Sequence, residues 1–402
     1  MGKKWVEKTY GDKLCCSCGL CEAICDQNAI SFKIDRLGFL KPIINKSCCI
    51  NCGLCYKYCP GINDFKNYVS ESENYLFGYS MDDDIRRNSS SGGIATEFLS
   101  YIIDRGIVDY VSVVSTFKGS SKPKQILTND ISIIKSCKTS KYCPVSFKGL
   151  LNQIKSINGT VAIIALPCQI NSLKTLVNNN KILNQKIKYF ISLLCNHVPS
   201  YNATKYLHYN LGIKKLERVC FRGNGWPGYM SFFSKSGSYA LPFRKAWASG
   251  FGLWFKNIRC DLCNDPFSKN ADIVFGDAYF LEEKDVLGST FCIVRNHEIM
   301  TILNEMSYQK LIQFEKGPDN ATIHRIYSTL FNRESEYLTK IAYLKSTYAN
   351  IPHVRNDYLP SVALKKALRY RIKLYLQQLG RYRFLWKILF KIKSGNKIVI
   401  RL

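Results

Sequence analysis

Residues 15–25 read CCSCGLCEAIC and residues 49–60 read CINCGLCYKYCP. In the first stretch Cys15, Cys18, Cys21 and Cys25 stand at the spacing C-x2-C-x2-C-x3-C. Cys49, Cys52, Cys55 and Cys59 repeat that spacing, closed by Pro60. A tight loop with a small residue in it (Gly19, Gly53) lets three thiolates wrap one iron–sulfur cube, while the fourth iron faces away from the loop. Zinc favours two close ligand pairs across a long spacer, and these steps do not suit it.

The doubled run is the pattern of two-cluster ferredoxins, in which the fourth cysteine of each run crosses to the other cluster. Cys15, Cys18, Cys21 and Cys59 are therefore expected to hold one [4Fe–4S] cluster, and Cys49, Cys52, Cys55 and Cys25 the second. Cys16 and Cys48 sit beside ligands and read as small apolar packing residues. Asp26 occupies the place where a proline often follows the run, a residue that shapes the turn without ligating. Between the runs, AISFKIDRLGFLKPIIN reads as two short strands about Leu37-Gly38.

With 402 residues, 46% of them hydrophobic, the chain can bury a large core behind such a module. Eighteen cysteines in this pattern point to a reducing, cytoplasmic compartment, since thiolate ligands oxidise elsewhere. The first residues, MGKKWVEKTYGDKL, carry no apolar signal, and no apolar run reaches membrane-spanning length. A net charge of +27 calls for an anionic partner. Its distribution is uneven: from Tyr358 to Leu402 there are twelve Lys or Arg and no acid.

GINDFKNYVSESENY is polar and reads as a linker. Beyond it, helical and strand patterns alternate: SSSGGIATEFLSYIIDRG, VDYVSVVST, SFKGLLNQIKSING, TVAIIAL, CQINSLKTLVNN, IKYFISLLC, PSYNATKYLHYNLG. Alternation of this kind predicts a parallel or mixed sheet covered by helices. Val219–Phe243 turns β-rich, DIVFGDAYF and STFCIVRN read as strands, and helix returns near His297 and Asp319.

Four further cysteines fall at element edges: Cys168 after a strand, Cys195 at a strand end, and Cys260 and Cys263 as a C-x-x-C. Strand ends converge at the ligand-binding edge of an α/β sheet. The four suit a third [4Fe–4S] cluster or a zinc ion by count, and Cys168 and Cys195 also read as core residues. Ser89 to Gly93 precede a helix, a phosphate-binding arrangement and equally an ordinary N-terminus. Lys141 beside Tyr142, and Asp277 at a strand end, are weak signals for an anionic, ring-bearing ligand.

In order, the cysteine runs, SSSGG, SKY, PCQ, CNHVPS, FRGNGW, CDLCND, ADIVFGD and LGSTFCIV resemble the coenzyme F420 hydrogenase/dehydrogenase beta-subunit family over roughly residues 10–300. The resemblance implies an iron–sulfur flavoprotein oxidoreductase that binds FAD and exchanges electrons with a deazaflavin or another soluble hydride carrier, or with a redox partner protein. It implies that Cys168, Cys195, Cys260 and Cys263 hold a cluster, and that Ser91, Gly92, Gly93, Lys141 and Asp277 belong to the FAD site. Bacterial relatives also occur among surface-polysaccharide genes. The alternative is a non-catalytic electron-relay or assembly subunit. Departures lie near the presumed flavin: Ala165-Leu166 replace Gly-Thr, Asn196-His197 replace His-Gly, and Pro144 follows SKY closely. No acid–base pair or nucleophile stands out; His197 could protonate a reduced product, but a lone histidine at a strand end is usually structural.

SVALKKALRYRIKLYLQQLGRYRFLWKILFKIK interleaves cations with apolar and aromatic residues, as a helix lying on an anionic inner-leaflet surface would. A helix packed on its own domain with a basic outer face has equal standing, and nucleic acid comes third. The expected fold is α+β: a bacterial ferredoxin-like dicluster module (1–62), a linker (63–74), a mixed α/β flavin-binding domain (75–335) and a basic helical region (336–402).

Overall fold

The computed structural model describes residues 14–63, 73–116, 122–281, 285–345, 359–394 and 400–401. Most of the expected linker lies outside the described residues.

Strands β1 (Ile30–Ile34) and β2 (Leu40–Ile44) form an antiparallel hairpin, with Ile30 opposite Ile44. A one-turn helix follows each cysteine loop, Leu20–Ala23 and Leu54–Lys57. The two loops share a backbone. Ser17 and Asn51 lie at φ 59° and 58°, Gly19 and Gly53 at 76° and 75°.

The larger region contains β3 (Asn74–Ser80), β4 (Tyr110–Ser115), β5 (Lys124–Thr128), β6 (Val161–Ala165), β7 (Ile187–Leu193), β8 (Arg218–Cys220), β9 (Tyr229–Ser234), β10 (Gly237–Pro242), β11 (Ile273–Asp277), β12 (Thr290–Val294) and β13 (Ile312–Lys316). Eight of these build one mixed sheet in the order β13-β3-β12-β11-β7-β6-β4-β5. Its centre, β11-β7-β6-β4, is parallel, and the remaining pairs are antiparallel. Helices Leu150–Ser156 and Pro167–Asn178 bury one sheet face through Leu150, Ile154, Ile170 and Leu173. Helices Ile94–Asp104 and His297–Tyr308 bury the other through Ile94, Phe98, Ile102 and Ile299. With both faces covered, the central strands are mostly apolar, and in β6 VAIIA reads as an unbroken run. A smaller antiparallel sheet, β14 (Ile400–Arg401)-β10-β9-β8, packs beside it.

The N-terminal region is docked on this body. Asn257 Nδ2 donates to the Cys15 carbonyl (2.8 Å), Arg259 Nε to Gly61 (3.0 Å), and Phe147 N–H to Cys18 (3.2 Å). The basic region is not the single helix that its sequence suggests. It breaks at Gly380, where a Cβ would meet Phe255 at 2.5 Å, into helices Leu364–Leu376 and Trp386–Ser394. Tyr370 and Leu374 pack with Leu14, Ile30 and Ile44, so one face of the first helix covers the N-terminal region.

Candidate functional site

The parallel strands β6, β7 and β11 end on one edge, and a cavity of about 690 Å³ opens there. That volume lies within the range of about 300–1,000 Å³ usual for small-molecule sites. Ser91, Gly93, Lys141 and Asp277 line it, together with Ser89, Ser90, Tyr142, His197, Arg222 and Trp247. Gly92 sits behind the wall. A Cβ there would collide with the Gly78 carbonyl and stand 2.7 Å from Thr290 N, so the glycine lets the serine loop lie against β3 and β12.

Several polar groups on this wall are already engaged. Lys141 Nζ donates to the carbonyls of Cys137 (2.5 Å), Thr139 (2.7 Å) and Lys138 (3.3 Å), and burial lowers its pKa to about 8. Asp277 accepts from Arg222 Nη1 (2.9 Å) and Trp226 Nε1 (2.6 Å). Arg222 is only 2% exposed. Burial opposes its charge, but the Asp277 carboxylate and Tyr142 outweigh this and raise its pKa. Ser90 Oγ accepts from Ser140 N–H (2.7 Å), joining the serine loop to SKY.

Other groups are barely engaged. The buried Ser89 hydroxyl makes no hydrogen bond among the described residues, and there the His197 ring has only the Gly252 backbone as partner. Burial, then the charges of Lys256 and Arg333, push the His197 pKa well below its usual value, so the ring is neutral. The helix Ile94–Asp104 begins at Gly93 without a side-chain cap, leaving its first N–H groups and positive dipole end at the cavity wall. Tyr142, Phe243 and Trp247 form an aromatic corner with centroids 5.1–5.6 Å apart, and Trp247 reaches it from a π-helical turn, Trp247–Phe251. An unpartnered hydroxyl, a helix N-terminus and an aromatic corner fit an anionic ligand with a flat ring.

A second cavity, of about 50 Å³, is lined by Cys16, Cys18, Cys168, Cys195, Cys260 and Cys263. The two cavities share Val145, Leu166, Gln169, Cys195, Asn196 and Val198. Gln169 holds this shared wall, accepting from Leu166 N–H (3.0 Å) and donating to Val145 O (3.2 Å) and Cys18 O (3.4 Å). Arg333, which is buried, donates to the Asn196 carbonyl and side chain. Gln169 belongs to the PCQ motif of the resemblance, whereas nothing local in the sequence marks Arg333, whose partner lies 137 residues away.

All described cysteines are free thiols. Burial raises the pKa of Cys18 and Cys21, and Cys21 packs against the same core as cysteines of the second run. Cys25, Cys49, Cys55 and Cys59 pack about the same small core, whereas Cys52 is exposed. Cys48 is also exposed and accepts from Asn45 Nδ2 (3.3 Å), so it is not the packing residue expected. Among the described residues no group of three or more His, Cys, Asp or Glu forms a ready-made cage for a metal ion. The donor set, all thiols in the ferredoxin spacing, is the chemistry that iron–sulfur clusters use.

Residues 75–152 match the model of the coenzyme F420 hydrogenase/dehydrogenase beta subunit N-terminal part, and residues 158–320 match that of its C terminus. Together these cover more than half of the chain. It belongs to the coenzyme F420 hydrogenase/dehydrogenase beta-subunit family.

Relatives of this beta-subunit-like chain include the coenzyme F420-dependent sulfite reductase of Methanocaldococcus jannaschii, 25% identical over 51% of this chain and 34% of the relative. One of the subunits of the F420H2 dehydrogenase of Methanosarcina mazei is 23% identical over 45% of the chain and 53% of the relative. The chain thus spans about a third to a half of these two. A chain of the F420-reducing [NiFe] hydrogenase complex from Methanosarcina barkeri shares the fold, with TM-score 0.55 and 17% identity over 74% of this chain and 99% of that one. Both cavities draw their lining mostly from the two family-matched stretches; Cys16 and Cys18 come from the N-terminal loop instead.

Proposed function

We propose that the protein is an iron–sulfur flavoprotein oxidoreductase. Electrons would pass between [4Fe–4S] clusters held by the cysteine sets, FAD in the large cavity and a hydride or electron carrier of the deazaflavin kind. One observation carries this reading: the six-cysteine cavity and the 690 Å³ cavity share a wall at the C-terminal edge of the parallel strands. A cluster supplies single-electron chemistry and a flavin supplies one- and two-electron chemistry. Cys15, Cys18, Cys21 and Cys59 would hold the first cluster, Cys49, Cys52, Cys55 and Cys25 the second, and Cys168, Cys195, Cys260 and Cys263 the third.

The chain's own residues have definite tasks. The helix N-terminus at Gly93, with Ser89 and Ser91, offers donors to an anionic group. Lys141 supplies a positive charge on the same wall. Tyr142 and Trp247 stack against a ring, and Arg222 with Asp277 keeps that corner rigid. His197 stays neutral and lines the same cavity. Protein purified anaerobically should carry FAD that bleaches under dithionite; cluster absorbance without flavin would favour the electron-relay reading. A link to surface-polysaccharide synthesis rests on the family resemblance, and unchanged surface glycans in a deletion strain would contradict it.

We also infer that the C-terminal helices rest on an anionic membrane surface. Opposite its packed face, helix Leu364–Leu376 exposes Leu364 (77%), Leu368, Ile372 and Leu376, one stripe at four-residue steps. Phe384 (78%), in the turn before the next helix, and Ile388 and Ile392 along that helix repeat the pattern. Exposed Lys365, Lys366, Arg369, Lys373, Lys387 and Lys391 flank the stripes. Each cation near such a leaflet contributes about 1 kcal/mol. Among the described residues no helix is long and apolar enough to cross a membrane. The protein should sediment with phosphatidylglycerol vesicles, lose this in high salt, and lose it in a Leu368→Glu/Ile372→Glu variant. Equal binding to neutral vesicles, or none, would contradict the inference.

A further inference from the structure

The second cysteine loop brings apolar side chains and a thiol to the surface together. Cys52 is exposed, Ile50 is 65% exposed, and Leu54, which opens the short helix behind the loop, is 37% exposed. Cys49 and Cys55 lie half-buried against the small core below them. An electron enters a protein most readily where a redox centre comes nearest to solvent. Of the three expected ligand sets, the one built on this loop comes nearest. Cys18 of the first set is buried, and Cys168, Cys195, Cys260 and Cys263 line the smaller cavity.

The charge around this loop has one sign. From Arg36 to Asn63 the chain holds Arg36, Lys41, Lys46 and Lys57 and no Asp or Glu. Arg36, Lys46 and Lys57 are exposed. The described acids before that stretch are engaged elsewhere. Asp35 accepts from Phe39 N–H within its own hairpin (2.8 Å), Glu22 pairs with Lys148 (3.3 Å), and Asp26 pairs with Lys155 (3.0 Å). Helix Leu364–Leu376, packed on the same core as Cys49 and Cys55, adds Lys365, Lys366, Arg369, Arg371 and Lys373 without an acid. A field of this sign draws in an acidic protein and repels a basic one. Two apolar side chains beside cations suit the small interfaces, below about 1,200 Å², of transient electron-transfer encounters.

We propose that the face formed by Ile50, Cys52 and Leu54, with Lys46 and Lys57, docks a small acidic one-electron carrier protein of the ferredoxin class. The carrier is oxidised by one electron and the cluster at the second loop is reduced by it; no bond forms or breaks, and no proton moves. The proposal rests on the reading that Cys49, Cys52, Cys55 and Cys25 hold a cluster.

The test uses the anaerobically purified full chain, with its iron counted first, and an acidic plant-type [2Fe–2S] ferredoxin as the probe. Calorimetry at low salt should show binding that weakens about tenfold or more in about 0.5 M salt, and a basic c-type cytochrome should not bind. Ile50→Glu/Lys57→Glu should weaken ferredoxin binding about tenfold and slow electron transfer in stopped flow, with the iron count unchanged. Tyr308→Glu makes a similar change on a side chain 90% exposed, on a helix covering the sheet face opposite the N-terminal region, and should leave both alone. Equal ferredoxin affinity in the double variant, or binding indifferent to salt, would overturn the proposal. Loss of phosphatidylglycerol-vesicle binding in the double variant would overturn it by making the face a lipid contact. If the unaltered protein holds fewer than about eight iron atoms, the count for two four-iron clusters, the underlying reading fails before any partner is added. With the iron present and ferredoxin bound no tighter than cytochrome, the docking face alone fails.

Discussion

The two cysteine loops are near copies in sequence and backbone, yet one is docked and the other is open. A Cβ on Gly19 would collide with Ser146 Oγ and stand 2.7 Å from Phe147 N; one on Gly53 would meet nothing within 4 Å. Cys52 and Ile50 are exposed, whereas Cys18 and Leu20 are buried. The repeat places thiols symmetrically, and docking then gives the two ends different work. The first loop lines the smaller sheet-edge cavity, and the second stays exposed.

The largest effect should separate the glycines. Both lie at positive φ, so alanine costs about 1 kcal/mol or more at either place. At Gly19 the collision with backbone adds about 1–3 kcal/mol. Urea unfolding should therefore show Gly19→Ala losing roughly 3 kcal/mol and Gly53→Ala roughly 1; equal losses would erase the distinction between a docked and an open loop. Next comes the docking bond. Asn257 is buried, donates to Cys15 O and accepts from Arg259 N–H (2.9 Å). Asn257→Ala should cost about 1–2 kcal/mol and make the first loop, not the second, more open to hydrogen exchange.

How far the sequence carries this asymmetry differs between the two regions. The N-terminal thiols lie within a few residues of one another, so spacing alone proposes who shares a site. Strand and helix patterns likewise place β6, β7, β11 and β12, because burial on both faces leaves apolar runs. The sheet-edge site is another matter. Cys168, Cys195, Cys260 and Cys263 meet only through the order β11-β7-β6, which no local pattern records. Arg222, Gln169 and Arg333 act on partners 55, 151 and 137 residues away. Strands β3, β5 and β13 escape the sequence reading too; they lie toward the margins of the sheet, outside its parallel centre.

Smaller effects sharpen the comparison from the open side. Ile50→Glu changes an exposed side chain and should leave stability within about 0.5 kcal/mol, while slowing reduction by an acidic partner protein; an unchanged rate would move the partner's docking face elsewhere. On the docked side, Lys141 has its pKa lowered to about 8 by burial, so its charge fades as pH rises through that value. FAD affinity should then weaken several-fold between pH 7 and 9, each charged contact to an anion being worth about 1 kcal/mol or more, and Lys141→Met should flatten the profile. A flat profile in the unaltered protein would remove Lys141 from the cofactor's surroundings.

The measurement closest to the centre of the account is iron, acid-labile sulfide and flavin per chain in anaerobically purified protein, with and without Cys195→Ala. Three cubes and one flavin predict about twelve iron and twelve sulfide beside one FAD, falling to about eight iron in the variant. Zinc in place of iron, or an iron count unmoved by the loss of Cys195, would contradict it.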